Sequence, residues 1–139
     1  MTGSHAAPPN DSSAYLTVGS GTGYPEEAGI TFSVPLVYFG FYFGSPDSDN
    51  VILFNGGGEI ARFNGNRSIP PGDGDQSVED FVNFSATGGT TFDEIVMTSS
   101  SPAFETDKPA YLASPEPASI LGLGTILLVV GSALRRKGA

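Results

Sequence analysis

The 139-residue sequence predicts an all-β protein: an antiparallel β-sandwich or jelly-roll-like body followed by one C-terminal transmembrane helix. Short apolar or alternating runs recur between residues 15 and 112, and Gly, Pro, Asn or Asp closes each of them. The chain contains 19 Gly and 11 Pro, which favours turn-rich antiparallel sheets over helices. Residues 118–134 form one uncharged, mostly apolar run directly before a basic cluster.

The strands are predicted from these runs and from the residues that interrupt them. They cover residues 15–18, 30–34, 36–43, 50–55, 59–64, 80–86, 92–98 and 103–111. Three consecutive glycines at 56–58 can supply the positive φ angles of a tight turn, which predicts a hairpin over residues 51–63. No window before residue 118 has the apolar period of a helix, so no helix is predicted there. The chain therefore divides into a flexible N-terminal arm (1–14), a β-sandwich (15–113) and a C-terminal signal segment (114–139).

Composition excludes several classes of function. The chain has no Cys and a single His, His5, so it cannot form a thiolate nucleophile, a disulfide or a His-based catalytic triad. Residues 1–114 contain 14 acidic and three basic side chains, a net charge of −11, whereas residues 115–139 carry +2. An acidic body repels phosphate backbones, and we expect no nucleic-acid partner.

The apolar run near the C-terminus has the features of a membrane span. As a helix, its 17 residues would extend about 26 Å, close to the thickness of a hydrocarbon core. Its only polar side chains are hydroxyls, and the charges fall in one block at its end: Arg135, Arg136 and Lys137. Basic clusters stay on the cytoplasmic side, which predicts that the acidic body lies outside the cytoplasm.

Immediately before this run stand Pro115, Glu116 and Pro117, a stiff extended break that a protease could reach. The order of Pro-Glu-Pro, apolar helix and basic cluster resembles the PEP-CTERM sorting signal of bacterial exosortase substrates. In that family the tail holds an exported protein at the inner membrane, an exosortase recognises the Pro-Glu-Pro motif and cleaves, and the product moves to the cell surface or extracellular matrix. The resemblance implies an exosortase partner, with residues 115–117 as the recognition motif and residues 135–137 as the stop-transfer cluster.

The body carries a second resemblance. Residues 39–65 and 91–112 are similar to the β-rich ectodomain of many exosortase-dependent surface proteins. The family pattern has Trp at the position of Phe43 and Asn at that of Lys108. No secretory signal peptide precedes residue 15, although sorting requires export. We therefore expect this reading frame to be an N-terminally truncated member of the family.

Two acidic loops are candidates for a cation site. Carboxylate and amide oxygens recur at alternate positions in them, at Asp47, Asp49 and Asn50 in the first loop and at Asp73 and Asp75 in the second. Calcium takes about six to eight oxygen ligands, and such spacing can offer two or three of them. The alternative is that these residues cap their loops as Asx turns. No other cofactor is predicted.

No catalytic residues are predicted. The adjacent acids 79–80 and 93–94 would point to opposite faces of a strand, so neither dipeptide forms a glycosidase pair. Glu105 and Asp107 share one face, where a structural role is favoured. The expected function is that of a non-catalytic, exported surface or matrix protein, with an exopolysaccharide as a potential partner. The alternative is a carbohydrate-binding module, calcium-dependent or not, or a fragment of a glycan-active enzyme. In that case the aromatic run 38–43 would line a sugar-binding face rather than the core.

Overall fold

The fold is antiparallel β, as the sequence predicts. The computed structural model describes residues 13–19, 25–68, 72, 74, 79–102 and 104–115. Within these residues the elements are β1 (Leu16–Val18), β2 (Glu27–Gly44), β3 (Asn50–Asn55), β4 (Glu59–Asn64), α1 (Gly65–Ser68), β5 (Glu79–Ser85), β6 (Phe92–Ser99) and β7 (Phe104–Ala113). None of the described residues belongs to a helix long and apolar enough to cross a membrane.

The strands form one hydrogen-bonded sheet in the order β1-β7-β2-β6-β3-β4, and β5 pairs with β2 off this path. The first half of β2 pairs with β6, from Glu27 opposite Thr98 to Thr31 opposite Glu94. The second half, from residue 36 onwards, lies between β5 and β7. The predicted hairpin is confirmed, because β3 and β4 pair antiparallel across the three glycines.

Strand β2 bends back on itself. A straight strand of its 18 residues would extend about 59 Å. However, the six residues from Gly44 to Asn50 can span at most about 22 Å. Asn50 pairs with Ser99, whose N–H donates to the carbonyl of Glu26 at 3.1 Å. Both ends of β2 therefore lie near the same loop, and the turn occurs at the ladder irregularity between residues 31 and 36.

This bend defines two ends of the body. The bend end contains residues 32–36 and the C-terminus of β7, because Leu36 pairs with Ala113. The loop end contains residues 44–50, which join β2 to β3. The prediction of two separate strands over 30–34 and 36–43 is wrong. Pro35 lies inside the irregularity, where the ladder needs no N–H donor.

The core lies between the two arms of β2. Phe39, Phe41 and Phe43 alternate along the second arm and are buried. Contacts between aromatic rings join strands that share no hydrogen bonds: Phe84 of β5 lies 4.9 Å from Phe54 of β3 between ring centroids. Phe41 packs against four rings, those of Phe39, Phe43, Phe84 and Phe104.

The single-turn helix α1 was not predicted from the sequence. Asn64 caps it, since its Oδ1 accepts a hydrogen bond from the N–H of Arg67 at 3.0 Å and its carbonyl accepts one from the Ser68 hydroxyl at 3.0 Å. An asparagine at this position is the local signal for such a turn, but four residues are too few to produce an apolar period. The prediction of no helix before residue 118 is therefore wrong at this one turn.

Candidate functional site

The predicted sorting motif begins two residues after the last strand. Strand β7 finishes at Ala113, and the N–H of Ser114 donates to the carbonyl of Pro35 at 2.8 Å. Pro115 follows directly, exposed to solvent. The other predicted residues of this segment lie outside the described part of the chain: Glu116, Pro117, the apolar run 118–134, Arg135, Arg136 and Lys137.

Apolar side chains are exposed beside this exit. Tyr111 and Leu112 are each 60% exposed, and Val34, at the bend of β2, is 41% exposed. The ring of Tyr111 contacts Phe32 with centroids 5.2 Å apart. These residues were not predicted from the sequence as part of a site. The signal in the sequence is the absence of charge from residues 109–115 and 28–46, although the body is strongly acidic.

The first acidic loop, at the loop end, is an Asx turn. One carboxylate oxygen of Asp47 accepts hydrogen bonds from the backbone N–H groups of Asp49 at 2.8 Å and Asn50 at 3.0 Å. Asn50 is fully buried; its Oδ1 accepts from the N–H of Asp47 at 3.1 Å and its amide donates to the Ser99 hydroxyl at 3.2 Å. The second oxygen of Asp49 accepts from the Ser101 hydroxyl at 2.9 Å. The three predicted calcium ligands of this loop are therefore all engaged in hydrogen bonds.

The second acidic loop approaches the first through its glycines. The N–H of Gly74 donates to the carbonyl of Pro46 at 3.1 Å, and that of Gly72 donates to Asn66 Oδ1 at 3.2 Å. The predicted ligands Asp73 and Asp75 lie outside the described residues. Among the residues that are described, no group of three or more His, Cys, Asp or Glu side chains could hold a metal ion. Calcium binding stays a prediction.

Gly65 fits tightly against the backbone of this acidic loop. A Cβ at residue 65 would lie 2.7 Å from the backbone nitrogen of Asp47 and would also collide with its carbonyl oxygen. Gly58, in the hairpin turn, has nothing within 4 Å of the same position.

We expect Gly65→Ala to lower the free energy of unfolding by about 1 to 3 kcal/mol, because the backbone of the loop must move to admit the methyl group. Gly58→Ala is the matched control and should change it by less than about 0.5 kcal/mol. Urea unfolding of the full chain in mild detergent measures both. Equal stability of the two variants would contradict the close packing of Gly65 on the loop.

The acidic residues of β7 have structural contacts. Glu105 is buried, and its Oε2 accepts a hydrogen bond from the Ser45 hydroxyl at 2.6 Å. Asp107 is also buried and accepts from the Ser13 hydroxyl at 3.2 Å and the N–H of Lys108 at 2.7 Å. The bonds from Ser45 and Ser13 join β7 to residues distant in sequence. Such contacts fit the structural role that the sequence analysis favours.

On the opposite side of β2 from the core, aromatic side chains form an outer surface. Tyr38 and Tyr42 are half-buried there, and Tyr42 meets Phe81 of β5 edge to face with centroids 5.1 Å apart. Gly40 lies between the two tyrosines, where a Cβ would lie 2.7 Å from the ring of Phe81. The Lys108 ammonium lies 5.5 Å from the centre of the Tyr42 ring. We call Tyr38, Gly40, Tyr42 and Phe81 the outer aromatic face.

The aromatic run 38–43 is thus divided by strand alternation. Its phenylalanines enter the core rather than a sugar-binding face, whereas its tyrosines face outwards. On the outer face the Tyr38 hydroxyl donates to Asn83 Oδ1 at 2.8 Å. A partly exposed pair of tyrosines beside an amide has the composition of a surface that stacks on sugar rings.

A groove of about 670 Å³ lies between β4 and β5. Its floor is aromatic, formed by Phe54, Phe63, Phe84 and Phe92, and Arg67 and Asp80 lie at its margin. This groove could not be predicted from the sequence, because it forms between two strands that are distant in the sheet order.

On the exposed surface of β4, Arg62 donates two hydrogen bonds to Glu59. These bonds hold the pKa of Glu59 below its usual range and the pKa of Arg62 above its usual range.

Comparison of the chain with protein-family models, with curated proteins and with solved structures finds no match.

Proposed function

We propose that the protein is a non-catalytic, exported surface or extracellular-matrix protein. A PEP-CTERM tail anchors it in the membrane, and an exosortase processes it. The observation that carries the proposal is the position of the motif: Pro115 is exposed directly behind the last ladder contacts of the body, those of Ala113 and Ser114. A processing enzyme at the membrane surface could reach the following bonds without unfolding any described strand.

The proposal assigns a part to each region of the chain. The body is a β-sandwich ectodomain whose two layers are built on the two arms of β2, and it lies outside the cytoplasm. The helix over residues 118–134 spans the membrane, and Arg135, Arg136 and Lys137 hold its end inside. The charge division of −11 and +2 supports this orientation. After cleavage the body is released to the cell surface or the matrix.

Processing is tested by the intact mass of the full-length protein in its host and in a strain without the exosortase. We expect the host product to lack the chain beyond the motif and the product of the deletion strain to retain it. The triple variant Pro115→Ala, Glu116→Ala, Pro117→Ala should retain the tail in the host. Pro102→Ala, which changes another exposed proline, is the matched control and should be processed normally.

The processing proposal fails if the product is uncleaved and identical in both strains. It also fails if the triple variant is processed as efficiently as the unmodified chain. A plain single-span anchored protein would give the first of these results.

A second candidate function is glycan binding, and the outer aromatic face favours it. Tyr38, Tyr42 and Phe81 are partly exposed, and the Tyr38 and Phe81 side chains cover the buried Gly40 between them, which gives a continuous aromatic surface on which a sugar ring could stack. In this candidate the ligand is an exopolysaccharide, and calcium held by the acidic loops is the optional cofactor. The acidic charge of the body disfavours polyanionic glycans and favours neutral ones.

For this candidate we expect the double variant Tyr38→Ala, Tyr42→Ala to lose binding to a neutral polysaccharide from the host matrix by at least about tenfold, because the two rings supply the apolar surface on which the sugar stacks. Tyr111→Ala changes a tyrosine at the bend end and should bind normally. Sedimentation with the insoluble polysaccharide measures both, with and without EDTA. Loss of binding in EDTA would support a calcium-dependent module, and equal binding by all variants would contradict the candidate.

A further inference from the structure

We infer that the bend end of the body rests on the membrane surface while the protein is anchored, with Val34, Tyr111 and Leu112 contacting the lipid interface. This inference depends on the proposed anchoring by residues 118–134. It adds the orientation of the body and names the surface that meets the bilayer.

The short segment between the body and the predicted membrane helix limits the distance of the body from the bilayer. Pro115 is the last described residue, and the predicted apolar run begins three residues later, at Ala118. Three residues span at most about 11 Å even when fully extended. The N–H of Ser114 is bonded to the carbonyl of Pro35, so the exit is fixed to the bend of β2. The bend end must therefore lie within about 11 Å of the hydrocarbon core once the apolar run enters the bilayer, which is in or next to the headgroup region.

Exposed apolar side chains surround the point where the chain leaves the body. Tyr111 and Leu112 are 60% exposed and Val34 is 41% exposed, and all three lie at the same end of the body; exposed apolar side chains that are grouped, unlike single ones, are typical of an interaction site. The bend of β2 and the end of β7, residues 32–36 and 109–115, contain no charged residue, and the acidic side chains nearest to them are Asp93 and Glu94 of β6, next to Phe92, which pairs with Leu36. A charged surface here would lose hydration at the interface, whereas tyrosine and leucine are well suited to it.

The first acidic loop lies at the end of the body opposite the exit. Asp47 and Asp49 lie at the loop end, and β7, which runs from that end to Ala113, extends over up to about 30 Å. An anchored body with its bend end on the bilayer therefore holds these carboxylates in water, away from anionic headgroups. Of the two acidic residues that follow Phe92 beside the bend, Glu94 accepts a hydrogen bond from the Asn55 amide at 2.7 Å.

The absence of tryptophan from the chain allows a single-probe experiment. The full chain with Tyr111→Trp is purified from an exosortase-deficient strain and reconstituted in phosphatidylcholine vesicles. Ser48→Trp places the control probe on an exposed residue at the loop end. Flotation of the vesicles after an alkaline wash establishes insertion, and lipids with nitroxides at the headgroup or along the acyl chain report the depth of each probe.

We expect Tyr111→Trp emission to shift to shorter wavelength in vesicles and to be quenched most by the headgroup nitroxide. Ser48→Trp should emit as it does in water and should not be quenched. Leu112→Trp places a second probe at the same end of β7 but on the opposite face of the strand, and it should behave as Tyr111→Trp does because the whole end faces the bilayer. If the chain floats with the vesicles but all three probes behave as in water, the inference is overturned and the anchoring stands. If the chain does not float, both are overturned.

Discussion

Phe41→Ala is expected to lower the free energy of unfolding by about 3 to 5 kcal/mol, the loss typical of a large core aromatic. The Phe41 side chain is 1% exposed and lies in the second arm of β2. Its ring contacts Phe84 of β5 and Phe104 of β7, so removing it opens a cavity that strands on both sides would have to close. Domains of this size are stable by about 5 to 15 kcal/mol, so a large share of the stability should be lost.

Urea unfolding of the full chain in mild detergent, followed by tyrosine fluorescence, measures this loss. Phe81→Ala is the control, because it removes the same ring from the half-buried outer aromatic face and should cost about 1 to 2 kcal/mol. If Phe41→Ala does not fold, Phe41→Leu should still lose more stability than Phe81→Leu. Equal losses at the two positions would contradict the placement of Phe41 at the centre of the core.

The regular part of the fold could be predicted because its signals are local. Strands β3 and β4 have the predicted bounds, since three glycines fix their turn and alternating apolar residues fix their register. Pro35 misled the prediction, because a proline usually ends a strand. Here it lies at a bend where β2 changes partners from β6 to β5 and β7, and its carbonyl accepts a hydrogen bond from Ser114. The bond between Pro35 and Ser114 joins residues about 80 positions apart, so no local signal in the sequence predicts it.

The candidate sites show the same limit. Alternation along β2 could have separated Tyr38 and Tyr42 from the core phenylalanines, but only the pairing of β2 with β5 brings Phe81 beside them. Likewise, the spacing of Glu105 and Asp107 does not reveal their burial, because Ser45 and Ser13 come from distant segments. Exposure at the exit is also a property of the assembled sheet.

Lys108 has a backbone conformation that is unusual for lysine. Its φ of 48° lies in the left-handed region, where asparagine is several-fold enriched over other residues with side chains. The backbone irregularity between Gly40 and Tyr42 in the β2–β7 ladder places Lys108 there. Asparagine would suit this conformation better, so lysine carries a backbone cost. The contact of the ammonium with the Tyr42 ring offsets part of it.

Asn50→Ala is expected to lower the free energy of unfolding by about 2 to 4 kcal/mol, because about 1 to 3 kcal/mol is lost for each buried polar group left without a partner. The Asn50 side chain is 0% exposed. Alanine would leave the N–H of Asp47 without its acceptor at 3.1 Å and the Ser99 hydroxyl without its donor at 3.2 Å. The loop end would lose the side-chain hydrogen bond between the start of β3 and the end of β6.

The matched control is Asp49→Ala, since Asp49 belongs to the same loop but is exposed and accepts one exposed hydrogen bond, from Ser101. Its loss should stay below about 1 kcal/mol. The two variants also separate the two interpretations of the loop when unfolding is repeated with calcium and with EDTA. If Asn50 has a structural role, Asn50→Ala lowers the free energy of unfolding by the same large amount with calcium and with EDTA. If instead calcium stabilises the unmodified chain and that gain disappears in Asp49→Ala, the loop holds the cation and Asn50 is not its main determinant.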